Sequence, residues 1–201
     1  MKVINLSENS QIYTSNVYLL TGDWNCMEDV NTLVDVGRDH NLIEKIYNAS
    51  TGVGKTKVEQ VIITHNHYDH SSLLPNIKNL FNPQIYAYSS HLEGVGRYVK
   101  GGELIKVADR LCEIIYTPGH SNDSICLYCE EEKIIFAGDT PLIIRSPGGS
   151  YEEGFIKALE CICKKDIRTI YFGHGNPLSH GCNKTLLESL ANVRKSTLIR
   201  N

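Results

Sequence analysis

Short apolar runs alternate with stretches whose hydrophobic residues recur every three or four positions, and this alternation organises the chain. Apolar, β-branched runs bounded by Gly, Pro, Asn or Asp predict strands over Val17–Thr21, Asn31–Val36, Val58–Thr64, Gln84–Tyr88, Leu111–Thr117, Asp123–Cys129, Lys133–Ala137 and Thr169–Phe172. Helical spacing predicts helices over His40–Asn48, Ser72–Leu80, Ser89–Tyr98, Tyr151–Lys165 and Lys184–Ile199. Helix–strand units recur in both halves, which indicates an α/β fold of mixed sheets covered by helices. No linker-like or low-complexity tract divides the sequence, so a single domain over residues 1–201 is expected, without a separate C-terminal substrate domain.

Composition adds exclusions. A formal net charge of −3, with both signs interspersed, gives no footprint for nucleic-acid binding. No apolar run approaches the roughly eighteen residues of a membrane span, and the first residues turn polar too soon for an export signal. A cytoplasmic location with no membrane partner is therefore expected. The seven cysteines are an odd count, which fits reduced thiols. Cys126 and Cys129 form a CxxC, but on a strand positions three apart face opposite sides, so packing thiols are expected there.

The candidate chemistry lies just beyond the strand ends. Thr64-His65-Asn66-His67-Tyr68-Asp69-His70 places three imidazoles and one carboxylate in six consecutive positions after an apolar strand. Three further apolar strands end in Gly-containing loops that each carry one ligand type: Pro118-Gly119-His120-Ser121, Gly138-Asp139-Thr140 and Gly173-His174-Gly175. The carboxyl ends of strands are where α/β folds collect ligands. Together His65, His67, Asp69, His70, His120, Asp139 and His174 use five of the eight histidines and could fill two metal sites. A reasonable division gives His65, His67 and His120 to one ion and Asp69, His70 and His174 to the other, with Asp139 bridging. Two divalent metal ions are thus the expected cofactor; zinc leads, and the imidazole and carboxylate donors also accept iron or manganese.

The spaced motifs His-x-His-x-Asp-His, Pro-Gly-His-Ser, Gly-Asp-Thr and Gly-His-Gly, with Asp35 ahead of them, resemble the metallo-β-lactamase superfamily, and Gly138-Asp139-Thr140 resembles its glyoxalase II-like branch. The resemblance implies a four-layer αββα sandwich with two mixed β-sheets and the metals at the edge between them. It implies a metal-dependent hydrolase in which a metal-bridging hydroxide attacks a small ester-type substrate: a thioester, a lactone or a related acyl bond. Two divalent ions can lower the pKa of a shared water to about 7, and Asp69 would act catalytically as both ligand and orienter of the nucleophile. Asp35 would support a metal-binding imidazole from behind. The short stretch after His174 lacks that branch's helical glutathione-reading extension, so glutathione is not the expected carrier. The alternatives are an iron-dependent oxidoreductase resembling persulfide dioxygenases, using His65, His120 and Asp139, and a phosphodiesterase.

Two loops are expected to select a small-molecule substrate. Arg145, in the long loop after Asp139, could bind a carboxylate or phosphate. Trp24, the only tryptophan, could line a pocket. His40, His91 and His180 are expected to be ordinary surface or packing histidines. Gly52-Val53-Gly54-Lys55-Thr56 lacks a phosphate loop's first glycine and reads as a turn.

Overall fold

The computed structural model describes residues 1–88 and 92–199. A six-stranded sheet runs in the order β1 (Lys2–Asn5), β2 (Tyr18–Thr21), β3 (Thr32–Val34), β4 (Gln60–Ile62), β5 (Gln84–Ala87), β6 (Arg97–Tyr98). Its first three strands are antiparallel neighbours, and β3 to β6 are parallel. The second sheet contains β7 (Leu104–Val107), β8 (Arg110–Tyr116), β9 (Ile125–Cys129), β10 (Ile134–Gly138) and β12 (Thr169–Phe172), in the order β12-β10-β9-β8-β7. Only β10 and β12 pair in parallel within it. A small parallel ribbon joins β11 (Ser150–Glu152) to β13 (Thr197–Ile199).

The period-2 alternation of side chains sorts these strands into layers. Leu19, Leu33, Val61 and Ile63 pack outward with α1 (Asn41–Asn48) and α3 (Leu74–Phe81). Tyr18, Leu20, Val34 and Ile62 face the other way and meet Ile114, Leu127 and Phe136 between the sheets. Ile115, Tyr128, Ile135 and Ala137 turn to a third core under α4 (Glu153–Ile162) and α5 (Cys182–Arg194). These three apolar layers make an αββα sandwich of two mixed sheets. Cys126 lies in the outer core and Cys129 between the sheets, and every cysteine is free. Among the described residues no helix is long and apolar enough to cross a membrane.

Two expected helices are corrected. The described part of the stretch expected as helix 89–98 is bends and turns that end in β6, and Ser89, Ser90 and His91 lie outside the described residues. Gly94 adopts φ +90°, a backbone shape that interrupts a helix. The last expected helix stops at Arg194, and Thr197–Ile199 becomes β13. The edge strands β1 and β7 were not anticipated; β7 alternates exposed and buried positions, as an edge with one solvated face does.

Candidate metal centre

Strand direction brings the candidate residues together. β3 and β4 run parallel, so Asp35 and His65 emerge at the same edge of the first sheet. In the second sheet β8, β10 and β12 share one direction, which delivers His120, Asp139 and His174 to one edge. The two edges meet where Ile125 N–H donates to the Thr64 carbonyl at 2.9 Å. After His67 the chain turns into α2 (Tyr68–Ser71), a single helical turn that carries Asp69 and His70 into the same space.

All seven expected ligands converge. His67 Nδ1 lies 3.0 Å from both His65 Nε2 and His120 Nε2. His174 Nε2 lies 3.0 Å from Asp69 Oδ2. Asp139 connects the two ends: its Oδ2 is 3.5 Å from His120 Nε2 and 3.5 Å from His174 Nε2, and its Oδ1 is 3.3 Å from His70 Nε2. His65, His67 and His120 form one group whose donor atoms lie within 4.8 Å of one another, and Asp69, His70 and His174 form another. A third such group, His65, His70 and Asp139, overlaps both.

The donors suit a divalent cation. His70 Nε2 is buried and has no hydrogen-bond partner, because Asp139 Oδ1 is close but not aligned to accept. An unsatisfied buried polar atom costs about 1–3 kcal/mol, and a metal ion there would remove that cost. Three imidazole nitrogens converging at 3.0 Å likewise need a proton or a cation between their lone pairs.

Asp35 sets which ring nitrogens face inward. Its Oδ1 accepts the Thr64 N–H at 2.8 Å, and its Oδ2 accepts from Thr64 Oγ1 at 2.9 Å and His70 Nδ1 at 2.8 Å. A carboxylate only accepts, so His70 keeps a proton on Nδ1 whatever its charge, and Nε2 is the atom turned to the cluster, where a metal ion would take the place of a second proton. The Thr64 hydroxyl, having donated to Asp35, can accept from His65 Nδ1 at 3.1 Å, which leaves His65 Nε2 facing inward as well. One carboxylate thereby orients two imidazoles. Asp35 is 1% exposed and holds φ 59°, a left-handed conformation that Asp tolerates better than most residues.

Charge coupling follows this wiring. Burial opposes the His70 imidazolium, but Asp35 and Asp139 outweigh it and raise its pKa to about 10. Burial, reinforced by His70, lowers His65 to about 4. Burial raises Asp139, yet His70 and the other imidazoles prevail and hold it at about 2. Two glycines make room. A Cβ on Gly173 would sit 2.1 Å from Asp139 Oδ1 and 2.7 Å from His70 Cε1. Gly138 turns at φ +51°, where a Cβ would strike Thr64 Oγ1 at 2.6 Å.

Neither expected substrate contact lines the cavity beside the cluster. β2 runs antiparallel to β3, so the loop after Thr21 lies at the opposite end of the sheet from the histidines. Trp24 is there, 87% exposed, beside a groove with Met27, Val53 and Lys57. The exposed Arg145 does not line the cavity beside the cluster, and its neighbour Ile144 ties the loop to Ser189 and Asn192 of α5. That cavity, about 350 Å³, opens at His120 and is walled by Gly119, Pro141, Tyr151, Glu152, Phe155 and, from β13, Ile199. Its lining residues include no lysine or arginine. Lys55, in the glycine-containing turn, is bound by the carbonyls of Cys26 and Asp29.

Sequence patterns also missed Tyr13 and Asn16, in the loop between β1 and β2. Tyr13 stacks on His174 with centroids 5.1 Å apart and 13° between planes. Asn16 clamps the His174 loop: its N–H donates to the Gly173 carbonyl at 2.6 Å, and its Nδ2 to Phe172 and Gly175 carbonyls at 2.9 and 2.8 Å. These partners lie about 160 positions away, so no local pattern announces them; the nearest signal is Asn16, a polar residue immediately before a buried strand.

A family model for the metallo-beta-lactamase superfamily matches residues 12–174, and the chain belongs to that superfamily. It is 28% identical over 170 residues to an atrochrysone carboxyl ACP thioesterase of Aspergillus fumigatus, covering 82% of this chain and 52% of that protein. It is 35% identical over 86 residues to a hydroxyacylglutathione hydrolase of Francisella philomiragia, covering 42% of this chain and 34% of that protein. The chain thus spans about half or less of the length of these curated relatives. Among solved structures it resembles ETHE1 from Myxococcus xanthus, with a TM-score of 0.69 at 18% identity over 96% of this chain and 83% of that one. It also resembles the chemotaxis sensor ODP, described with a peroxy diiron species, with a TM-score of 0.72 at 17% identity over 94% and 90%.

Proposed function

We propose that this chain is a metal-dependent hydrolase that cleaves a small thioester, or a related ester or lactone, at a dinuclear centre. The observation that carries the reading is Asp139, whose Oδ2 stands 3.5 Å from a histidine of each ligand group, a spacing that would let one carboxylate serve both ions. His65, His67 and His120 would hold one ion and Asp69, His70 and His174 the other, with Asp139 shared. Zinc fits these nitrogen and oxygen donors. Bound divalent ions would supply Lewis acidity and a water acidic enough to act as nucleophile near neutral pH.

The protein's own groups prepare the rest. Asp35 and Thr64 fix the imidazole orientations before any ligand arrives, so little reorganisation is needed at the moment of reaction. Asp69 uses Oδ2 toward His174, and its second oxygen can accept a proton from the nucleophile. The cavity at His120 sets Pro141, Phe155 and Ile199 against the polar Ser150 and Glu152; its apolar side suits an acyl chain, and Glu152 disfavours carriers with carboxylates nearby. The thioesterase and hydroxyacylglutathione hydrolase relatives support acyl-bond chemistry.

The test is hydrolysis by metal-loaded protein of N-acetylcysteamine thioesters, lactones, aryl esters and phosphodiesters. Turnover of acyl substrates, abolished by chelation and by Asp139→Asn, is the expected outcome. Turnover of phosphodiesters alone would overturn the proposal. An oxygen-consuming iron enzyme using His65, His120 and Asp139 is the second reading, since a donor set without thiolate accepts iron as well as zinc.

A further inference from the structure

We propose that Tyr13 is the hydrogen-bond donor to the leaving-group atom of the substrate, an inference that rests on the hydrolase reading above. The cluster has a direction. Reading across it, Tyr13 lies against His174, His174 against Asp139, Asp139 against His120, and His120 opens into the cavity walled on one side by Pro141, Phe155 and Ile199. An acyl substrate whose chain lies in that cavity places its carbonyl near Asp139 and its departing sulfur or oxygen toward Tyr13.

Tyr13 is placed for this role. Its ring is parallel to the His174 imidazole, and its hydroxyl lies 3.4 Å from His174 Nε2, a long and weak hydrogen bond. A metal ion on His174 would engage that same Nε2 lone pair; the phenol O–H then faces Asp69, its remaining protein acceptor, and must turn from that carboxylate to the leaving atom. The side chain is 69% exposed, so an incoming ligand can reach it. Its loop is nevertheless fixed on both sides of the cluster. Ser15 N–H donates to the Asp69 carbonyl at 3.1 Å, Arg38 N–H donates to Thr14 Oγ1 at 2.9 Å, and Asn16 holds the His174 loop. An exposed aromatic on a loop pinned to two ligand-bearing segments is preorganised rather than loose.

The step balances with water as the one co-reactant. A water oxygen forms its bond to the acyl carbon as the bond from that carbon to sulfur or oxygen breaks, and the electron pair leaves with the heteroatom. The Tyr13 O–H stabilises that developing anion by a charge-assisted hydrogen bond and keeps its own proton. The proton lost by the attacking water ends on the released thiolate or alkoxide, giving one carboxylic acid and one thiol or alcohol.

The experiment compares wild type, Tyr13→Phe and Tyr13→Leu, all metal-loaded, on thioesters that share one acyl chain. Phe keeps the ring stacked on His174 and removes only the hydroxyl. With the basic N-acetylcysteamine leaving group, Tyr13→Phe should lose roughly 10- to 100-fold in kcat/KM. With an acidic aryl thiol it should lose less than about 3-fold, since little charge needs stabilising. Rate should therefore depend more steeply on leaving-group pKa, with metal content unchanged. A second arm measures N-acetylcysteamine binding by calorimetry, where Tyr13→Phe should weaken affinity about 3- to 10-fold. Equal losses for both leaving groups, or a Phe variant matching wild type in both arms, would overturn the proposal. Loss confined to Tyr13→Leu, with metal lost, would instead assign the ring a purely structural role. If wild type binds the thiol but cleaves no thioester, the hydrolase reading fails and the leaving-group role fails with it, whereas an active wild type with an unaffected Phe variant removes the Tyr13 role alone.

Discussion

Replacing Asp35 with Asn exchanges one carboxylate oxygen for an amide nitrogen and should weaken metal binding at the cluster. The backbone tolerates the change, because Asn adopts the left-handed φ of 59° as readily as Asp. The hydrogen bonds do not. Asp35 accepts three, from Thr64 N–H, Thr64 Oγ1 and His70 Nδ1. An amide has one acceptor oxygen, so either orientation sets an NH2 group against an N–H. With the amide nitrogen toward His70, the imidazole relieves the clash by moving its proton to Nε2, the atom that should bind metal. One buried mismatch costs about 1–3 kcal/mol. At roughly 2–4 °C per kcal/mol for a chain of this size, the metal-free protein should melt about 2–12 °C lower and still fold. Loss of the oriented tautomer should weaken metal binding about 10- to 100-fold, which is ~1.4–2.7 kcal/mol. Elemental analysis after dialysis against buffered free zinc reads that change, and a melting curve reads the fold. An Asp35→Asn variant that keeps wild-type metal affinity would refute the claim that this carboxylate orients His70.

Other perturbations follow from the same geometry. Gly173→Ala puts a Cβ 2.1 Å from Asp139 Oδ1, so the carboxylate must move; turnover should fall about 100-fold or more in a folded protein, and near-normal rates would contradict the packing. Without metal, His70 carries a pKa of about 10 against an ordinary 6.5, so its pairing with Asp35 and Asp139 stabilises the metal-free fold fully below about pH 6.5. That contribution is lost as pH rises through about 10, and melting curves of chelated protein should fall across this window while metal-loaded protein stays flatter. Asn16→Ala removes two side-chain bonds to the His174 loop and should cost about 1–3 kcal/mol, read as a lower melting temperature with greater proteolysis in the loop between β1 and β2.

The sequence exposed the ligands because strand ends and glycines mark them locally. An apolar run that stops at Thr64, or at Gly138, states both where the strand ends and which residue comes next. The edge strand Leu104–Val107 and the ribbon strand Thr197–Ile199 are hidden for the opposite reason: the first is short and half-exposed, the second is exposed at all three positions and adjoins a helical run, so both carry little periodic signal. Trp24 was misplaced because a loop's position depends on strand direction, which a sequence pattern does not encode. Tyr13 and Asn16 reach the site through pairings with residues about 160 positions away, and only the folded sheets bring those together. The cavity at His120 depends on the same kind of distant pairing, between β11 and β13.

The central claim is a dinuclear hydrolytic site, and metal stoichiometry on the purified protein, measured beside thioester hydrolysis and oxygen uptake, tests it most directly. The account predicts two divalent ions per chain, thioester cleavage that follows metal content, and no oxygen consumption. A single redox-active iron per chain with oxygen uptake would contradict it.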